Sequence, residues 1–251
     1  MHLPDSVGIL VVATLATTSS CASLGPSGPG TSGNQAVRVY ASITYAFTAE
    51  HTYRTWYTLW LWKRTEPDPT IRRQECPCGG SAFLVRSPDN YYLVTAAHVA
   101  YGPKDIQTIN GDKVTDMKLV ESTVKVGGLS LLMDKPCTRD DDRDIVLYVI
   151  SRQQVELLNA HVFGAESIVA PHGCGDDVTA WGFPRTTDCQ LKKAQISSIG
   201  ANYFALNIPL EPGFSGGPVR DSVGKLVGVI LRSDDKQTRC LLATELLKII
   251  R

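Results

Sequence analysis

From Ala36 onward the chain alternates between short apolar stretches, rich in β-branched and aromatic residues, and clusters of turn-forming residues. Runs this short, bounded this way, predict strands rather than helices. Strands are predicted at Tyr53–Trp62, Gly80–Arg86, Tyr91–Ala96, Lys118–Val126, Ile145–Ile150, Val178–Trp181, Lys192–Ile199, Tyr203–Ile208, Pro218–Arg220 and Leu226–Leu231. Ser87-Pro88-Asp89-Asn90 and the segment from Asp221 to Lys225 read as turns between neighbouring strands. Many short strands at close spacing indicate an all-β sandwich or barrel. One helix stands out, from Thr244 to Arg251, with a Thr to cap it, Glu245 in its first turn and Arg251 in its last. Tyr53, Trp56, Tyr57, Trp60 and Trp62 fall near a spacing of two and are expected to pack within the barrel.

The residues before Ala36 follow a different pattern. Val7 to Thr17 is an apolar run, too short to span a bilayer but of the length of a signal-peptide core. Thr18-Ser19-Ser20-Cys21 follows it, and small residues directly before a cysteine resemble a bacterial lipoprotein cleavage site, with Cys21 as the lipidated residue. The first region has no Lys or Arg, and Thr18 stands where that motif prefers Leu. Residues 22–34, rich in Gly, Ser and Pro, read as a flexible linker. The expected order is therefore a leader at 1–21, a linker at 22–34 and one folded domain at 35–251. Export to a bacterial envelope, periplasm or exterior is expected, with the membrane touched only through Cys21.

Composition narrows the chemistry. Hydrophobic residues at 43% and charged residues at 20% are ordinary for a globular protein. A formal charge of zero removes the electrostatic case for nucleic acid as a main partner. The seven cysteines form no C-x-x-C pair and histidine is scarce, so neither a metal centre nor another cofactor is expected. In an exported chain the cysteines read as disulfides, and setting Cys21 aside leaves an even number.

Three segments carry candidate chemistry. In Pro212-Gly213-Phe214-Ser215-Gly216-Gly217-Pro218, glycines on both sides of Ser215 permit a tight turn that exposes its hydroxyl. The N–H groups of Gly213 and Ser215, with Phe214 close by, are candidates for an oxyanion hole. In Leu93-Val94-Thr95-Ala96-Ala97-His98, an apolar strand runs into small residues and then an imidazole, the usual general base. The other four histidines, at 2, 51, 161 and 172, lack that setting. In Asp140-Asp141-Asp142-Arg143-Asp144-Ile145-Val146-Leu147, four acids crowd the head of an apolar strand. Asp144 abuts the strand and is the candidate to orient His98. Asp140, Asp141 and Asp142 read as a solvated loop paired with Arg139 and Arg143.

The order His, Asp, Ser is that of the chymotrypsin triad. With Thr95-Ala96-Ala97-His98, Asp144-Ile145-Val146-Leu147 and Gly213-Phe214-Ser215-Gly216-Gly217-Pro218, the chain resembles the chymotrypsin-like serine peptidases over roughly residues 76 to 250. Gly79 to Val85 is similar to the strand before the family's His, and Leu226 to Ile230 to the strand after its Ser. Trp181-Gly182-Phe183-Pro184 resembles a turn of the bacterial HtrA-type branch.

The resemblance implies two packed six-stranded antiparallel β-barrels with a C-terminal helix. The expected bounds are about 35–155, 156–242 and 243–251. It implies cleavage of peptide or protein substrates through an acyl-enzyme, with substrate paired along the strand edge near Ile230–Ser233. Pro209, Leu210, Glu211, Ile230, Leu231 and Arg232 fall at the substrate-binding positions. With no acid at Pro209, the expected pocket base, small or medium apolar side chains are the expected preference.

Departures from the family matter as well. Phe214 stands where animal digestive members carry an Asp, and no Ile-Val-Gly-Gly segment is present, so their zymogen switch is not expected. Val99 replaces the cysteine that follows His in many animal members, so any disulfides follow their own pattern. Cys174 with Cys189 is the expected pair, and Cys76 or Cys78 with Cys137 or Cys240 stays open. The rival readings are an inactive barrel that binds peptides and an envelope protein with a structural role.

Overall fold

The computed structural model describes residues 34–57, 60–102, 108–109, 112–127, 136–184 and 188–250. The leader, Cys21 and most of the linker lie outside them. The chain opens with two long antiparallel strands, β1 (Val37–Tyr57) and β2 (Trp60–Arg86). β3 (Tyr91–Ala96) follows the turn at Ser87–Asn90 and leads into α1 (Ala97–Tyr101). Then come β4 (Thr108–Ile109), β5 (Asp112–Val126), β6 (Thr138–Asp140) and β7 (Ile145–Ile150). After α2 (Arg152–Leu158), the short β8 (Val162–Gly164) joins β2 in parallel. Together they make an eight-stranded sheet along the path β4-β5-β1-β2-β3-β7-β6.

The second half is a closed barrel. Its strands are β9 (Asp177–Gly182), β10 (Gln190–Ile199), β11 (Tyr203–Leu206), β12 (Pro218–Asp221), β13 (Leu226–Ser233) and β14 (Thr238–Leu242). They close in the order β10-β11-β14-β13-β12-β9. The fold is mostly β, with one closed six-stranded barrel and one half-barrel. α3 (Thr244–Leu247) follows the last strand.

β3 and β7 occupy the spans that their hydrophobic runs predict, because both are buried on two faces and their turns bound them. Other expectations need correction. The predicted strand Tyr53–Trp62 is divided between β1 and β2, which pair antiparallel with Tyr57 opposite Trp60. The packing of its aromatic side chains lies outside the described residues. The first sheet has eight strands rather than six, and its path does not close among the described residues. β8 belongs to this sheet, so the first half extends past the expected boundary at residue 155. α3 ends at Leu247 and starts from Ala243 without a side-chain cap, so Thr244 lies inside the helix.

The expected disulfides are also absent among the described residues. Cys174 is an exposed free thiol, and Cys189 is a free thiol bonded to backbone at Ala36 and Gly182. Cys137 donates to the Leu147 carbonyl at 3.2 Å, and Cys240 is sealed in the barrel core, both as free thiols.

The larger core runs from the first sheet into the second half, joining Phe83, Leu93, Leu147 and Phe163 to Val229, Leu241 and Leu246. A second core fills the closed barrel around Ile196, Leu206, Phe214 and Ile230. Phe83 and Phe163 meet edge to face, with ring centroids 5.8 Å apart, and both are fully buried. Phe83→Ala should cost about 3–5 kcal/mol of unfolding free energy in urea denaturation. A loss below about 1 kcal/mol would show that this contact does not organise the core.

Candidate active site

The pairing of β3 with β7 sets Ala96 opposite Ile145, so each strand ends beside the other. α1 starts there with free backbone donors and no cap of its own, since Ala96 has no side-chain oxygen. Asp144 supplies what is missing. Its carbonyl accepts the Ala97 N–H at 2.9 Å, and its Oδ1 accepts the His98 N–H at 2.9 Å. Its Oδ2 lies 2.8 Å from His98 Nδ1. One acid thus fixes both the backbone and the ring of His98.

Asp144 takes this position from a left-handed backbone, with φ of 57°. The turn that holds it is built by Asp140, whose Oδ1 accepts the N–H groups of Asp142 at 3.1 Å and Arg143 at 2.9 Å. Arg143 Nη1 closes the turn onto Asp140 Oδ2 at 2.6 Å, and Arg139 pairs with Asp141 at 2.7 Å. The paired acidic loop expected from the sequence is therefore present. Burial pushes the Asp144 carboxyl up, but the bonds and charge of His98, with Arg232, outweigh it and hold the group below the usual carboxylate range. Arg232 Nε approaches the same Oδ2 at 3.5 Å.

Ser215 stands on a turn of the second barrel. Pro212 and Gly213 are central in a turn closed by the Phe214 N–H on the Glu211 carbonyl at 3.3 Å. Gly213 has φ of 109°, the positive value that the third residue of a type II turn needs. Gly216 has φ of 84°, and a Cβ there would meet the Ser81 carbonyl at 2.1 Å, so a side chain is excluded. The Phe214 ring is fully buried in the barrel core, against Gly182. A hydrophobic plug thus occupies the place where the animal enzymes use an ion-paired Asp. The Phe214 N–H is spent inside the turn, which removes it from the expected oxyanion set. Gly213 and Ser215 N–H groups donate to no backbone carbonyl among the described bonds.

Ser81, on β2, joins the halves and was not singled out in the sequence. Its N–H donates to the Ser215 carbonyl at 2.8 Å, its Oγ donates to the Gly213 carbonyl at 2.7 Å, and that Oγ accepts the Phe183 N–H at 2.9 Å. Its place directly after Gly79-Gly80, in the segment similar to the strand before the family's His, was the signal in the sequence.

Ser215 Oγ donates to the Leu231 carbonyl at 2.8 Å, and no bond between it and His98 is present among the described residues. A cleft of about 380 Å³ opens beside it, lined by Leu210, Glu211, Ile230 and Arg232. Pro212, Ser233, Asp234 and Asp235 also line it. Pro209 is not part of this wall, and Leu231 contributes its carbonyl to Ser215 while its side chain is buried.

A β-barrel paired with a half-barrel, with His and Asp bonded at one strand end and Ser on a glycine turn of the other half, defines the serine peptidase architecture. The sequence from 80 to 229 matches the trypsin-like peptidase domain family, and the chain belongs to it. Among solved structures it is similar to a serine endoprotease from Yersinia pestis, with a TM-score of 0.52 and 17% identity. That match covers 89% of this chain and 66% of the other, so the chain spans under two thirds of that protein's length. It is also similar to the Rv3671c protease in an inactive form, with a TM-score of 0.46, 23% identity, and coverage of 68% and 81%. No curated protein matches the chain in sequence.

The lowered carboxyls set a stability limit in acid. Burial raises Asp140 as it does Asp144, but the bonds and charge of Arg143 win and hold it low. A group depressed on folding binds fewer protons when native, so its stabilisation is complete above its unfolded pKa and is lost as pH falls through the folded one. The urea midpoint should be level above about pH 5 and fall below about pH 4. Asp140→Asn should reduce that slope, and an unchanged slope would remove Asp140 from the account.

Proposed function

We propose that the chain hydrolyses peptide bonds as a serine endopeptidase, with His98, Asp144 and Ser215 as its triad. The observation that carries this reading is the 2.8 Å bond between His98 Nδ1 and Asp144 Oδ2, made at the end of β3, whose Thr95 and Ala96 lie against Gly216 of the Ser215 turn. Asp144 accepts the Nδ1–H, which leaves Nε2 as the base. Ser215 Oγ turns from the Leu231 carbonyl toward Nε2, gives up its proton and attacks the scissile carbonyl carbon. The carbonyl electron pair moves onto oxygen, where the Gly213 and Ser215 N–H groups receive the oxyanion. The imidazolium, held by Asp144, returns the proton to the leaving amine as the C–N bond breaks. Water then gives a proton to His98 Nε2 and attacks the acyl carbon. The ester bond to Ser215 Oγ breaks as His98 returns that proton to Oγ, and the acid product leaves with the enzyme regenerated.

The strand edge supports the substrate's placement. β12 reaches only Val229 of β13, so the edge from Leu231 to Ser233 is open on that side. An extended peptide adding there would offer its own N–H to the Leu231 carbonyl and displace Ser215 Oγ from it. Substrate pairing and release of the nucleophile are then one event.

A second reading is favoured by the bond from Ser215 Oγ to Leu231: a barrel that binds peptides without cutting them. A fluorophosphonate probe separates the two. Labelling of the full chain that is lost in Ser215→Ala, with peptide turnover lowered about 10⁴-fold or more in His98→Ala, is the expected result. A chain that neither labels nor cleaves would support the binding protein instead.

Small or medium apolar side chains are the proposed preference at the cleavage site, supported by Leu210 and Ile230 in the cleft wall. Glu211 and Asp234 are turned to other partners, Lys192 at 3.6 Å and the backbone N–H groups of Lys236 and Gln237. Cleavage-site profiling of a peptide library should return Ala, Val or Leu, and a dominant preference for Lys or Arg would overturn this assignment.

A further inference from the structure

Among the described residues, Glu245 is the one charged residue in the buried set, at 2% exposure. It sits on α3, remote in sequence from the three residues of the triad. Its Oε2 accepts from Arg143 Nε at 3.2 Å, and its Oε1 from Lys248 Nζ at 2.5 Å. Lys248, against the cost of burial and with help from Arg143, keeps the carboxyl below its ordinary range, so it is an anion in neutral solution.

Docking the helix does not require this anion. Leu246 is fully buried in the larger core and Ile250 joins it. The carboxylate is buried but its partners are not, with the Arg143 side chain 33% and Lys248 61% exposed, so the pairing adds little to docking and points to a demand for geometry. Arg143 is where that demand falls. It precedes Asp144 directly, and it is also the residue that closes the turn onto Asp140. The turn is gripped a second time from the other half, by Tyr203 Oη on the Asp142 carbonyl at 3.1 Å. Asp tolerates φ of 57° better than most side chains, but that conformation still carries a cost, which these bonds offset.

We propose that Glu245 is a positioning residue for the hydrolysis reaction: by fixing the Arg143 guanidinium, it holds Asp144 in the left-handed turn from which it orients His98. This rests on the triad reading above. It couples the seating of the C-terminal helix to turnover, through a chain of two ion pairs and one backbone link.

The test is kinetics on the full chain, with rates expressed per fluorophosphonate-titrated site. Glu245→Gln keeps the shape and removes the charge, and should lower kcat about tenfold with KM within about twofold, since misplacing a catalytic group slows chemistry more than binding. Arg143→Gln should do the same, and the double variant should be no slower than Arg143→Gln alone. An unchanged kcat in Glu245→Gln, even with a lower Tm, would mean a merely structural role and overturn the proposal. So would losses that multiply in the double variant. If Glu245→Gln does not fold, Arg143→Lys serves, because one ammonium cannot bond Asp140 and Glu245 as the guanidinium does. Wild-type kcat there overturns the proposal equally. A wild-type chain that neither labels nor cleaves would sink the triad reading and this one with it, whereas an active wild type with an indifferent Glu245→Gln sinks this one alone.

Discussion

Asp144 carries the central constraint of the molecule. It satisfies the first donors of α1, bonds the His98 ring and receives Arg232, all from one residue at the head of β7. A helix of five residues has little stability of its own, so its start depends on that outside acceptor. The arrangement exists only because β3 and β7 pair in one register. A slip by one position would exchange the two faces of both strands, and the cost of unseating the buried Leu93, Val94 and Leu147 from their packing opposes it. Hydrophobic burial in the sheet therefore sets the geometry of a polar pair at its rim.

The serine side is held by other means. Phe214 fills the barrel core, and the turn around it leaves Ser215 at the surface of the cleft. In relatives that depend on a buried ion pair at this position, the site can be assembled or dismantled by making or losing a charge. A ring in a packed core has no such switch, since removing it leaves a cavity rather than an unpaired anion. Ser81 completes the register between halves by three hydrogen bonds to the turn and its neighbour Phe183. The two sides of the site thus meet through few polar contacts laid over a continuous apolar core.

Local chemistry explains which features could be read from the chain itself. β3 and β7 carry largely apolar runs with clear stops, and His98 and Asp144 sit directly at or beside those stops, so position along the strand implied that the two could meet. Gly213 and Gly216 announced their turn because only glycine suits their backbone. The division between β1 and β2 at Tyr57 and Trp60 gave no such signal, since its aromatics suit a strand interior as well as a strand end. The pairing of Cys174 with Cys189 failed for the opposite reason: proximity in sequence says nothing of where each thiol points, and Cys189 faces backbone instead.

The sequence by itself determined an all-β chain with an imidazole, a carboxylate and a hydroxyl at the ends of its strands and turns, because burial period and backbone freedom are properties of neighbouring residues. Only the tertiary structure decided that the first half would be an open sheet of eight strands, that Ser81 would tie it to the Ser215 turn, and that Glu245 would reach Arg143. Those contacts join residues far apart along the chain, and their energies depend on distance and exclusion of water, which no local pattern encodes.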